Sequence, residues 1–108
     1  GYKSVAFDIG SYDPIKAKYV RVTVTNHSDD ELGFAYKAVI DGGGQEKDGY
    51  GPDRSVKSGE TISWTDDARC GKTGSFTKAE IFFWGGTQGG TFTVTIEFSS
   101  TPFPTPTE

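Results

Sequence analysis

Aromatic rings, rather than nucleophiles or metal ligands, are the groups in this chain with chemistry to offer. In Ala79-Glu80-Ile81-Phe82-Phe83-Trp84 the two-residue period of a strand assigns Ala79, Ile81 and Phe83 to a core, leaving Glu80, Phe82 and Trp84 on the opposite face. A large ring facing outward forfeits its burial energy unless something covers it, so Trp84 is the leading candidate for a ligand platform. A loop folded over it is the competing explanation. Trp64 shares its phase with Ile62, which assigns it to the core, yet it ends a strand beside Asp66 and Asp67, where phase slips easily, so it stays among the candidates. Tyr50, in Asp48-Gly49-Tyr50-Gly51-Pro52-Asp53, is displayed between glycines on a long loop. Gln88, just beyond Trp84, both donates and accepts hydrogen bonds, and Gln45, Glu46, Lys47 and Asp48 offer polar groups beside Tyr50.

The other reactive residues do not assemble. Arg69-Cys70-Gly71-Lys72-Thr73 contains Gly-Lys-Thr, but Asp66 stands where a phosphate-binding loop needs its first glycine, and no helix pattern follows. His27, the only histidine, has Ser28 and Asp29 as immediate neighbours, whereas a triad needs members that converge in space from separate places. Cys70 lies near Arg69 and Lys72, which would favour its thiolate, but no second histidine serves as its base. The carboxylates cluster in turns: Asp29 to Glu31, Asp41, Asp48 and Asp53 around a Gly-rich loop, then Asp66 and Asp67. They show neither the register of a calcium loop nor an evident glycosidase pair. No cofactor is expected; calcium is the one the acidic turns leave open.

Composition narrows the partners. Hydrophobic residues make up only 33% of the 108, and the apolar area is concentrated in eight Phe, five Tyr and two Trp. A net charge of −4 with no run of Lys or Arg argues against nucleic acid and anionic membranes as partners. Cys70 stands alone, so no internal disulfide forms. The sequon Asn26-His27-Ser28 matters only in a eukaryotic secretory pathway.

Strands must position these rings. Apolar residues alternate in Val5-Phe7-Ile9, Val20-Val22-Val24, Leu32 to Ile40, Ile62-Trp64 and Phe92-Val94-Ile96-Phe98. Turn residues separate them at Ser11–Pro14, His27–Glu31, Gly42–Gly59, Asp66–Gly74 and Gly85–Gly90. At least six strands with one apolar face each must pair those faces, which predicts an all-β antiparallel sandwich, jelly-roll or Ig-like, over residues 1–100. Its core is expected to hold Val5, Phe7, Val20, Val22, Val24, Phe34, Ile62, Ile81, Phe83, Val94, Ile96 and Phe98. Residues 101–108 read as a Thr/Pro linker stub, an extended spacer in which proline removes backbone donors. With no Met anywhere, the chain reads as an internal module of a longer protein.

Gly59-Glu60-Thr61-Ile62-Ser63-Trp64, Phe82-Phe83-Trp84-Gly85-Gly86 and the Thr101–Glu108 tail resemble a non-catalytic carbohydrate-binding module of the plant-cell-wall-degrading enzymes of bacteria, particularly cellulosome producers. The resemblance implies a secreted, monomeric domain that is not itself an enzyme. It would hold plant polysaccharide for a tethered glycoside hydrolase. Trp84, Trp64, Tyr50, Gln88, Phe82 and Glu80 would bind the ligand. A β-1,4-glucan such as cellulose, a mixed-linkage glucan or xyloglucan is favoured over pectin, because Phe82–Gly90 contains no Arg or Lys to meet uronates. The alternative is an Ig-like interaction or spacer module of a secreted or cell-surface protein, with Trp84 meeting a protein partner.

Overall fold

The computed structural model describes residues 2–8, 18–51, 53–85 and 91–104, with the backbone alone described for 2–8. These residues form eight strands and no helix: β1 (Tyr2–Asp8), β2 (Tyr19–Asn26), β3 (Leu32–Asp41), β4 (Glu46–Tyr50), β5 (Arg54–Val56), β6 (Thr61–Asp67), β7 (Ser75–Gly85) and β8 (Phe92–Ser99). All pairings are antiparallel. One sheet has the order β1-β7-β3-β4, with β5 pairing the start of β3, and the other is β6-β2-β8.

The sheets close over the apolar faces that alternation predicts. Val20, Val22 and Val24 from β2 meet Phe34, Tyr36, Ala38 and Ile40 from β3, and Phe76, Ala79, Ile81 and Phe83 from β7. Rings carry much of the contact between the sheets. Phe83 stacks on Phe92 at 4.0 Å between centroids, and Phe76 meets Phe98 edge-on at 5.6 Å. Tyr36 is 1% exposed and donates its hydroxyl to the Ala68 carbonyl at 2.7 Å, so this core ring leaves no orphan polar group. Burial pushes its phenol well above the ordinary range. Ile62, Val94, Ile96 and Phe98 are only partly buried against this core; the expected core residues Val5 and Phe7 belong to β1, whose side chains lie outside the description.

Two differences from expectation have physical causes. The Gly42–Gly59 stretch is not one long loop, because β4 pairs with Lys37–Asp41 and β5 with Leu32–Phe34. Both are edge strands with mostly solvated side chains, so they carry no apolar alternation to be read. The Thr/Pro tail, read as a spacer from Thr101, packs back at its start. The Phe103 ring lies 4.8 Å from the Arg21 guanidinium, bordering a shallow cavity of about 150 Å³ with Tyr19, Thr65, Asp66, Asp67 and Pro102. Residues 105–108 lie outside the description.

Candidate functional site

The outward face of the five-stranded sheet gathers four of the six candidates. On β7, Ala79, Ile81 and Phe83 are at most 3% exposed, while Glu80, Phe82 and Trp84 point the other way and are half-buried. The register sets Trp84 opposite Gly33 and Phe82 opposite Ala35 on β3. Small residues at these two positions leave room beside the β7 rings. A β-carbon at Gly33 would overlap Trp84 Nε1 and Cε2 and stand 2.8 Å from Cζ2. The indole is therefore seated on bare backbone, as in the covering of a strand glycine by a cross-strand aromatic.

One row further along, Glu80, Lys37 and Tyr50 lie side by side across β7, β3 and β4. Tyr50 is 61% exposed, the most open large apolar side chain among the described residues. It stands at the end of an edge strand rather than on a loop tip, and its hydroxyl donates to Asp48 Oδ2 at 3.3 Å. Lys37 fills the gap between rings, its Nζ 5.6 Å from the Phe82 centroid and 5.9 Å from that of Tyr50. The same ammonium is 3.4 Å from Asp48 Oδ2 and 4.0 Å from Glu80 Oε2. Lys78 joins the group through a 2.8 Å contact with Glu80 Oε1, and this hydrogen bond holds its ammonium above the ordinary value. With rows about 6.7 Å apart along a strand and strands about 4.8 Å apart, the backbone positions of Trp84 and Tyr50 stand roughly 16 Å from each other. The arrangement is an aromatic strip with a charged, hydrogen-bonding floor at one end.

Trp64 does not belong to it. The ring is 7% exposed on the inner face of β6, tilted against Tyr36 at 5.5 Å, and it occupies the space above Gly51, where a β-carbon would stand 2.5 Å from its Cη2. Phase did not slip at the end of β6, because pairing with β2 runs through Asp67, and an indole enclosed in this way has no face for a ligand. Gln88 lies outside the described residues. Sequence reasoning missed Lys37, Gly33, Ala35 and Lys78. The available signal was the small pair Gly33 and Ala35, alternating with the bulky Phe34 and Tyr36 on a strand long enough to be central.

The remaining reactive residues are committed elsewhere. Ser28 donates its backbone N–H and hydroxyl to Asn26 Oδ1 at 2.8 and 2.5 Å, while His27 Nε2 lies 2.8 Å from Thr93 Oγ1. The Cys70 thiol is pushed up to about 11, first by burial and then by Asp66 and Asp67, the reverse of activation. Asp41 Oδ1 accepts from the backbone N–H groups of Gly43 and Gly44, and the Asp67 carboxylate accepts from those of Arg69 and Gly71. Among the described residues, no three His, Cys, Asp or Glu side chains are placed to share a metal ion.

The outward face of the other sheet has a different character. Hydroxyls pair across its strands, Thr23 with Ser63 at 3.0 Å and Thr25 with Thr61 at 2.7 Å, and Arg21 meets Glu97 through two contacts of 2.9 and 2.8 Å. No family model, curated protein or solved structure matches this chain.

Proposed function

We propose that this domain binds an uncharged β-linked polysaccharide chain along the strip from Trp84 through Phe82 to Tyr50, without catalysing a reaction on it. The observation that carries the reading is the seating of Trp84 on Gly33, next to Phe82 on the same outward face. A ring packed against a sheet is pre-organised for stacking, so little side-chain freedom is lost when a ligand arrives. The axial C–H groups of a pyranose present an apolar face to such a ring, while its equatorial hydroxyls seek donors and acceptors. Lys37, Asp48 and Glu80 supply both at the Tyr50 end. The roughly 16 Å span accommodates about three sugar rings in a row.

In this reading a β-1,4-glucan, mixed-linkage glucan or xyloglucan is the ligand. The domain works outside the cell as a monomer, and its Thr/Pro tail tethers a glycoside hydrolase whose local concentration at the polymer it raises. Affinity electrophoresis tests the reading: migration in native gels containing soluble β-glucan should be retarded relative to gels without it. Unchanged migration on mixed-linkage glucan and xyloglucan, together with no pull-down by cellulose, would remove it in favour of a protein-binding or spacer role.

A further inference from the structure

Lys37, beside Phe82, and Lys78, paired with Glu80, are two cations that the Phe82–Gly90 segment does not contain. Both are matched. The groups run in the order Asp48, Lys37, Glu80, Lys78, with successive contacts of 3.4, 4.0 and 2.8 Å, and their formal charges sum to zero. Glu80 is the hinge of this chain, since one of its oxygens faces each ammonium. Its side chain is 12% exposed and that of Lys37 17%, so water screens their contact less than it would an open surface pair. Asp48 Oδ1 is buried with no hydrogen-bond partner, which leaves Lys37 and the Tyr50 hydroxyl as the groups that hold its carboxylate. The floor of the strip therefore offers donors and acceptors to hydroxyls, but no surplus cation to a carboxylate on a polymer.

Building on the polysaccharide-binding reading, we propose that Glu80 and Asp48 are the specificity-determining residues of the strip: by neutralising Lys37 and Lys78 they keep uronic-acid chains off a surface that neutral chains can occupy. Removing either carboxylate leaves the four-group cluster at a net charge of +1 with Lys37 between the Phe82 and Tyr50 rings, the combination that would attract a polyuronate.

The test is native affinity electrophoresis in gels containing polygalacturonate, with migration referred to polysaccharide-free gels. It compares the wild type with Glu80→Gln and Asp48→Asn. Glu97→Gln serves as control, because it changes net charge equally and frees Arg21 on the opposite sheet. Both strip variants should bind polygalacturonate about two- to fivefold more tightly than the wild type, with the gain lost as salt is added. The control's shift, relative to polysaccharide-free gels, should equal that of the wild type. No gain in either strip variant, or an equal gain in Glu97→Gln, overturns the proposal. Retardation of the wild type by mixed-linkage β-glucan, read in separate gels, decides the polysaccharide-binding reading independently.

Discussion

The indole of Trp84 lies against the backbone of Gly33, its cross-strand neighbour, with no room for a β-carbon between them. The contact joins two segments of sequence that look unrelated and turns an outward-facing ring into a fixed one.

Gly33→Ala should therefore act on binding through Trp84. The added methyl displaces the indole, at a stability cost of about 1–3 kcal/mol typical of overpacking. Affinity for β-glucan should fall while the far-UV circular dichroism stays that of a β protein. Isothermal titration on the folded variant checks this; undiminished affinity would show that the seat on Gly33 does not matter.

The two tryptophans should separate cleanly. Trp84→Ala is expected to abolish measurable β-glucan binding, a loss of about 2 kcal/mol or more, with a smaller fall in thermal midpoint than Trp64→Ala as Gly33 is uncovered. Trp64→Ala empties a buried site beside Tyr36 and Gly51 and should cost about 3–5 kcal/mol of stability. Thermal melts and titrations of both variants decide the matter, and the reverse pattern would move the site away from β7.

Asn26 is fully buried and donates Nδ2 to the carbonyls of Asp30 and Val56 at 2.7 and 3.0 Å, while its Oδ1 accepts from Ser28. Asn26→Ala leaves those carbonyls and the Ser28 N–H without their partner and should destabilise the domain by about 2–4 kcal/mol. The same burial keeps the sequon from a glycosyltransferase once the chain has folded. Urea denaturation measures the first expectation, and intact mass after eukaryotic secretion, with Asn26 remaining unmodified on folded molecules, measures the second.

Cys70 should be sluggish towards alkylation. Its thiol is raised to about 11 from an ordinary value near 9, so at pH 8 the folded protein holds about a hundredfold less thiolate than the unfolded chain. Iodoacetamide labelling should be correspondingly slower under native conditions than in denaturant. The linkage has a definite sign. The unfolded thiol ionises first, so the contribution of this group to stability is complete below pH 9 and is lost as pH rises through about 11. Tyr36, also raised by burial, acts in the same direction. Cys70→Ala should reduce the alkaline fall in thermal midpoint without removing it; an unchanged pH profile would contradict the assignment.

Much of this molecule is legible from local pattern. Alternation alone places Val20, Val22 and Val24 in the core and turns Phe82 and Trp84 outward from Ile81 and Phe83, while it leaves Trp64 between core and site. The pleat points successive side chains to opposite faces whatever the strand pairs with, so the period survives without knowledge of neighbours. The polar edge strands β4 and β5 escape such reading, because their pairing comes from backbone groups that every residue carries.

Which residues share a surface is a different matter. Lys37 stands beside Phe82, 45 positions later in the chain, and beside Tyr50 on a third strand, because the register of β3 with β7 and β4 aligns them. That register is set by how whole apolar faces pack and where each turn closes, so no residue encodes it for its distant partner. The sequence by itself determined an all-β domain with outward rings on β7. Only the tertiary structure decided that Trp84 has a glycine for its seat, that Trp64 is enclosed, and that Lys37 stands between Phe82 and Tyr50 in a charged row with Asp48, Glu80 and Lys78.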